Sequence, residues 1–326
     1  MKFCKSFITS AYAIVAGALL ASSVFAADVY PNKPVTLVVP FAAGGPTDAV
    51  ARLIAVPMGK ELGQSVIVEN TVGAGGTIAA TRVARSAPDG YMIFIHHMGM
   101  ATAPALYKKL PFDPMKDFEY IGQVVDVPMV LLGRKNFPPN NFKELETYIK
   151  ANKEKVTLAN AGPGAVSQLC GLLFMSREGV ELTTVPYKGT GPALTDTIAG
   201  QTQVLFSSIA VAMPQVRNNR LRAIAVTTPK RIDALPEVPT VNESGLKGYE
   251  TVLWHGLIGP KNLPRPIVDR LNGDLNKILQ NKDMQDKLAG DGVTAAGGTP
   301  EQFGATIKRD IDTWRKVVQK AGVKAD

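Results

Sequence analysis

The chain has 326 residues, 45% hydrophobic and 20% charged, with 36 Lys and Arg against 28 Asp and Glu and a formal net charge of +8. The positive charges stand singly, with no basic block interleaved with aromatics, so they read as a solvated surface with a mild pull on anionic solutes and exclude a nucleic-acid footprint. At this length two domains are the natural expectation, with a cleft between them.

Taken in chain order, the sequence begins with Lys2 and Lys5, runs on as the short apolar stretch AYAIVAGALLASSVFA and reaches small residues at Ala26 and Ala27. That is the pattern of a secretory signal peptide over residues 1–26, cut after Ala26. The polar stretch DVYPNKP that follows argues against a membrane span. Cys4 lies far upstream of the cut, which argues against a lipid anchor. The mature chain is expected free in an exported, aqueous compartment, with a charge of +6 once Lys2 and Lys5 are gone.

The strand VTLVV (35–39) leads to a helix over 47–62, the strand SVIVEN (65–70), a glycine turn, a helix over 77–85 and the strand YMIFI (91–95), with PDG at 88–90 as a turn. This is the βαβ rhythm of a parallel sheet with helices on its faces. A long extended run, FEYIGQVVDVPMVLLGRK (118–135), can pass from one lobe to the other before NFKELETYIKAN restores a helix. The alternation then restarts: KVTLANAG, a helix over 164–178, TTVPY, a helix over 191–199, TQVLFSS, a helix over 210–217, and LRAIAVTT. The Pro-rich stretch over 227–245 reads as an ordered surface excursion. YETVLWHGLIGP (249–260) reads as the return crossing, and helices over 265–281, 283–289 and 300–321 then pack on the first lobe.

The fold expected is therefore α/β and two-lobed, each lobe a mostly parallel sheet flanked by helices, with two crossover strands acting as a hinge. Domain 1 is discontinuous, 27–127 plus 252–326, and domain 2 covers 128–251. After processing only Cys170 remains, in SQLCGLLFM, so no internal disulfide can form, and a small core residue is the commoner role for it than a nucleophile. His96, His97 and His255 lack metal-ligand spacing, so no metal and no cofactor are expected.

Three strand-to-helix turns could receive an anion. They are FAAGGPTD (41–48), NTVGAGGTIAA (70–80) and NAGPGAVSQ (160–168). Each offers a helix N-terminus whose first N–H groups lack intrahelical partners and whose dipole is positive. The first and third come from opposite lobes and would face each other across one cleft. None carries the lysine of a P-loop or the GxGxxG fingerprint, so a small carboxylate fits better than a nucleotide phosphate. The bland alternative is that glycine only permits the bend and Thr, Ser or Asp only caps the helix. Capping is the role expected of Asp48, because a carboxylate would repel a bound carboxylate.

The series PFAAGGPTD, IVENTVGAGGTIAA, ALYKKLPFDPMKDFEYIG, LANAGPGAVSQL, VPYKGTGPALTDTIAGQTQVLFSS, LRAIAVTTPKR, LPEVPTVNESG and WHGLIGP resembles the Bug family, periplasmic solute receptors of tripartite tricarboxylate transporter systems. The resemblance covers nearly the whole mature chain. It implies a periplasmic two-lobed binding protein that closes on a small organic carboxylate (di-, tri- or aromatic) and delivers it to inner-membrane transporter subunits, with no nucleic acid, as a monomer. Carried over by position, it assigns one carboxylate to Ala43, Gly44, Gly45 and Thr47 of the first loop and to Ala161, Gly164, Ala165 and Ser167 of the opposing loop. Phe41 is implied at the cleft wall and Thr77 as an assistant.

The far end of the pocket is implied at His96, His97, Met98, Ser207 and Ser208. The first turn reads FAAGG where many relatives have FPPGG, and Ser207 stands where relatives often have Asp. No obvious acid remains there for an ammonium group, so the distal pocket is expected to suit a second carboxylate or an apolar group. His97 divides between ligand contact and scaffold; Trp254 and His255 sit in the return crossing, where packing is the commoner role for Trp and a cleft contact the less common one. Two other classes stay open: a secreted hydrolase using Ser167 or Ser208 with a histidine, though no GxSxG elbow is present, and a sensor presenting its closed form to a signalling partner.

Overall fold

The computed structural model describes residues 30–322 except 163 and 188; the signal peptide and cleavage site expected from the sequence lie outside the described residues. The first series is β1 (Val35–Val39), α1 (Pro46–Leu62), β2 (Val66–Asn70), α2 (Thr77–Ala84), β3 (Met92–His97) and α3 (Gly99–Leu106). Apart from the partly buried Thr36, β1 is apolar and buried, as a strand covered on both faces must be. It lies parallel between β2 and β3, while α1 lays Val50, Ala51, Ile54, Ala55 and Met58 toward the core. The helix α3 was not expected from the sequence. Its residues GMATAPAL are small and include Pro104, so they show no amphipathic stripe, and five of the eight are buried.

The second series follows β4 (Phe118–Arg134): α4 (Phe142–Asn152), β5 (Thr157–Asn160), α5 (Val166–Glu178), β6 (Thr183–Pro186), α6 (Thr190–Ala199), β7 (Val204–Ser208), α7 (Ile209–Arg217) and β8 (Leu221–Val226). Here β5 is parallel to both β6 and β7. The chain returns through β9 (Val252–Pro260), α8 (Arg265–Gln280), α9 (Lys282–Gly290), the short β10 (Thr294–Gly297) and α10 (Pro300–Ala321). The strand order is β2-β1-β3-β9-β4-β7-β5-β6, with β10 and β8 also on β4. The molecule is thus a two-lobed α/β structure, each lobe holding three parallel strands beside antiparallel crossing strands.

The link between lobes is β4. From Phe118 to Pro128 it pairs with β9, and from Met129 onward it pairs with β7 and β8. The exchange of partners falls at Pro128, which has no N–H to offer a ladder. The return path lies beside it: Thr227 N donates to Met129 O at 2.9 Å, Thr251 N to Thr227 O at 3.0 Å and Thr227 Oγ1 to Thr251 O at 2.6 Å. Just before it, the buried Tyr249 hydroxyl donates to Cys170 O at 2.8 Å. Cys170 is itself wholly buried in α5, and burial pushes its thiol up to about 12, which suits a core residue and not a nucleophile.

The helix α10 does more than pack on the first lobe. It is closed at its start by a Thr299/Gln302 capping box with Pro300 in the first turn, and at its end by Gly322 in the left-handed region. Its apolar stripe of Phe303, Ile307, Ile311, Trp314, Val317 and Val318 is buried. At 22 residues it is about 33 Å long, and it touches α3 and β4 and then α5 of the second lobe. Lys320 Nζ reaches Ser176 O there at 3.4 Å.

Phe303 lies over Gly256 of β9, edge-on to Trp254 and Tyr120 at centroid distances of 5.2 and 5.7 Å. A Cβ on Gly256 would strike that ring. Gly256→Ala is expected to destabilise the protein by about 1–3 kcal/mol through overpacking, read as a lower denaturation midpoint with an unchanged slope.

Trp254 Nε1 donates to Asp310 Oδ2 at 2.7 Å, and Asp126, opposite Trp254 on β4, accepts from Gln123 Nε2 at 2.6 Å. Burial first, with the charge of Asp310 adding to it against the pull of Gln123 and Arg309, pushes the Asp126 carboxyl up to about 6. A carboxyl whose native pKa is raised favours folding below its unfolded pKa and loses that contribution as pH rises through the native value. Asp126→Asn is therefore expected to leave Tm nearly unchanged at pH 4 and to raise it above wild type at pH 7. Equal effects at both pH values would contradict the assignment.

Candidate functional site

A cavity of about 810 Å³ opens between the lobes. Five helices present their N-terminal ends to it: α1 through Pro46 and Thr47, α3 through Gly99, α5 through Val166 and Ser167, α6 through Thr190, and α7 through its cap residue Ser208. Each brings first-turn N–H groups and the positive end of a helix dipole. Among the described lining residues there is no Lys, Arg, Asp or Glu. The wall therefore attracts an anion through dipoles and neutral donors.

On the first side, Gly44 sits in the left-handed region at φ +80°, which turns the chain from β1 toward α1, and Gly45 is extended as the helix cap residue. Asp48 is 2% exposed and faces inward on the loop. Its Oδ2 accepts from Gly44 N at 2.8 Å and Arg52 Nε at 2.9 Å, and its Oδ1 accepts from Asn70 Nδ2 at 2.9 Å. The Arg52 hydrogen bond, aided by those of Gly44 and Asn70, holds the carboxyl down at about 2 despite burial. Asn70 Nδ2 also donates to Phe41 O at 2.9 Å, so one acid and one amide shape the whole turn.

The opposing loop is tied in a similar way. Ala161 N donates to Ser167 Oγ and Gly164 N to Gln168 Oε1, both at 2.8 Å. Ala165 N donates to Gly162 O and Gly189 N to Ala161 O, both at 3.1 Å. With Gly45 N donating to Ala42 O at 3.3 Å, the N–H groups of Gly44, Gly45, Ala161, Gly164 and Ala165 are all engaged within the protein. The sequence pointed to these loop amides as donors. Among the described residues, what stays without a partner at the cavity wall are instead the first-turn N–H groups of Thr47, Val166 and Ser167 and the hydroxyl proton of Ser167.

Of the residues singled out in the sequence, Phe41, Ala43, Gly44, Gly45, Thr47, His97, Ala161, Gly164, Ala165, Ser167, Ser207 and Ser208 line the cavity. Two do not. Thr77 turns its hydroxyl to Ala74 O at 2.9 Å, and Gly75 from the same loop reaches the wall in its place. Met98 is 1% exposed and faces the core, because the chain leaves the strand after His97 and winds straight into α3. His96 is likewise buried, edge-on to Phe94 and Phe41.

Sequence reading also missed part of the wall. Thr102, Ala103, Leu106 and Tyr107 reach it from α3 and its end, Met129 and Leu253 from the crossing strands, and Phe206 from β7. A helix in GMATAPAL would have pointed to the first group. Trp254 packs away from the cavity against Phe303, whereas its neighbour His255 lines it.

His97 stacks on Phe41 at 4.7 Å with planes 6° apart and stands edge-on to His255 at 5.9 Å. Its Nδ1 accepts from Gly99 N at 2.8 Å. Burial brings His97 down to about 4 and, with the field of His97 added, His255 down to about 3, so both rings are neutral at neutral pH. The hydrogen bonds of the two rings run to Gly99 and Thr47, not to Ser167 or Ser208.

The sequence profile described as Tripartite tricarboxylate transporter family receptor matches residues 50–323. A curated relative of Agrobacterium vitis, described as a UPF0065 protein in the TAR-I ttuE-ttuC' intergenic region, is 43% identical over 300 residues, covering 91% of this chain and 87% of the relative. The solved periplasmic binding protein BugD is 46% identical, with a TM-score of 0.77, covering 90% of this chain and 99% of that one. MatC of Rhodopseudomonas palustris, solved with bound malate, is 39% identical, with a TM-score of 0.76, covering 89% of this chain and 100% of that one. By this match to the family profile and these relatives, and by the fold and cleft described above, the chain belongs to the Bug family of periplasmic receptors of tripartite tricarboxylate transporters.

Proposed function

We propose that this protein resides in the periplasm, captures a small organic carboxylate (di-, tri- or aromatic) in the cleft, and delivers it as a monomer to the membrane subunits of a tripartite tricarboxylate transporter. The observation that carries this reading is the pair of helix starts, α1 and α5, whose first-turn N–H groups face one cavity while the surrounding loop amides are internally bonded. One carboxylate bridges Thr47 and its neighbours Ala43, Gly44 and Gly45 to Ser167 and its neighbours Ala161, Gly164 and Ala165. Because Ser167 Oγ already accepts from Ala161 N, its own proton goes to the ligand.

The distal end of the ligand meets Ser207, Ser208 and His97. With no acid among the described lining residues, that end favours a second carboxylate or an apolar group over an ammonium. Malate, the solute in the MatC structure, has two carboxylates and is the first probe to use. A carboxylate that touches both lobes, 27–127 plus 252–326 on one side and 128–251 on the other, binds the closed arrangement better than the open one and shifts the population by that difference.

The catalytic alternative finds little support in the histidines. They are neutral, far below a base poised near pH 7, and their hydrogen bonds run to Thr47 and to backbone N–H groups. Ester turnover abolished by Ser167→Ala would replace the receptor reading with a hydrolase.

Wild-type protein is expected to gain Tm with malate by mass action. Ser167→Ala is expected to weaken binding by about 10- to 100-fold, the worth of one hydrogen bond to a charged group, by titration calorimetry. Gly45→Val keeps an allowed extended backbone but sets its Cβ 3.3 Å from Ala42 O, so the turn must shift slightly, and its branched carbons crowd the carboxylate's approach; it is expected to abolish binding in a protein that thermal denaturation shows still folded. Wild-type affinity in a folded Gly45→Val protein would refute the loop assignment.

A further inference from the structure

His255 is fully buried on β9, opposite His97 in the strand ladder, and lines the cavity. Its Nε2 lies 3.1 Å from Thr47 Oγ1, on the second residue of α1. Its Nδ1 is also buried and has no hydrogen-bond partner among the described residues. The ring is neutral at neutral pH, chiefly because burial disfavours its charged form. A neutral imidazole carries one proton, and the choice of nitrogen decides what Thr47 can do.

With the proton on Nδ1, a buried N–H would be left without an acceptor, and the Thr47 hydroxyl would be used up as a donor to Nε2. With the proton on Nε2, the only unmet group is a lone pair on Nδ1. Orphaned buried donors are rarer than under-satisfied acceptors, because an unmade donor bond forfeits its full solvation. The second arrangement therefore prevails. Among the described residues Thr47 does not use the usual outlet of a helical threonine, a bond back to the carbonyl three or four residues earlier: its side-chain bond runs to His255.

We propose that His255 is a positioning residue for the bound carboxylate: as the Nε2–H tautomer it donates to Thr47 Oγ1, which leaves the Thr47 hydroxyl proton to point into the cleft as a donor to the ligand. This rests on the carboxylate reading above and adds to it a residue that the sequence did not place among the ligand contacts. It also makes the two walls alike, since Ser167 is held by a donor from Ala161 N and Thr47 by a donor from His255. In each case a neutral N–H occupies the oxygen lone pair and directs the hydroxyl outward.

The test has a spectroscopic arm and a binding arm. In protein labelled with 15N-histidine, long-range 1H–15N correlation identifies the protonated nitrogen of His255 without any ligand, the signal being assigned by its loss in His255→Leu. An Nε2–H tautomer is expected, and an Nδ1–H tautomer overturns the inference whatever binds. In the binding arm, malate affinity is measured by calorimetry on variants shown folded by thermal denaturation.

His255→Leu is expected to weaken malate about tenfold. His255→Gln, which can again offer an N–H to Thr47, is expected to recover most of that loss. Thr47→Val is expected to weaken binding at least as much, with no further loss when combined with His255→Leu. Additive losses in the double variant, or no rescue by Gln, would show that His255 acts only as packing and overturn the inference. Failure of wild-type protein to bind malate or any other carboxylate defeats the receptor reading instead, while the tautomer still decides the His255–Thr47 arrangement.

Discussion

A single strand belonging to both lobes constrains everything else in this molecule. Over its first part β4 is hydrogen-bonded to β9 and over its last part to β7 and β8. The two sets of parallel strands are thereby fixed at opposite ends of one ladder, and the turns leaving β1 and β5 open toward each other. Thr227 and Thr251, bonded to each other and to Met129 where the partners change, close the second link. Ligand chemistry is possible because this ladder, not the loops, sets the separation of the facing helix starts.

Within that frame the described wall of the cleft offers neutral donors beside apolar side chains and no ionised group. A buried guanidinium or ammonium would have to be stripped of water before it met its ligand, at a cost that its attraction only partly offsets. Helix starts avoid this cost, since their N–H groups are already fixed and already aligned. The charge of Asp48, behind the first loop, is neutralised in place by Arg52 and by donors from Gly44 and Asn70. It fixes the shape of the turn and is engaged by these partners and not by the solute.

Much of this architecture could be read from residues in order. VTLVV, SVIVEN and YMIFI are short apolar runs separated by amphipathic stretches, and backbone periodicity alone makes them strands and helices. GMATAPAL defeated that reading because small side chains bury without a stripe, and with α3 went Thr102, Leu106 and Tyr107 of the wall. The anion-receiving turns were legible from glycine beside a helix start. Which amide stays open was not, because it depends on side chains six or fewer residues away, Asp48, Ser167 and Gln168, folding back on their own loops. Thr77 and Met98 failed for a related reason: a position beside a ligand loop does not say which way its side chain turns. The contribution of His255 is a pairing over 208 residues of sequence, and no local pattern carries it.

The C-terminal helix adds a mechanical property to the receptor. Its last turns bury Val317 and Val318 and rest on α5, with Lys320 reaching Ser176 some ten residues, or about 15 Å, along α5 from the cleft. Any swing of one half against the other must strain or wet that contact, at about 25 cal/mol for each Å² of apolar surface exposed. The molecule thus carries a strut behind its mouth, and the ease of gaping is governed in part by residues that never meet the solute.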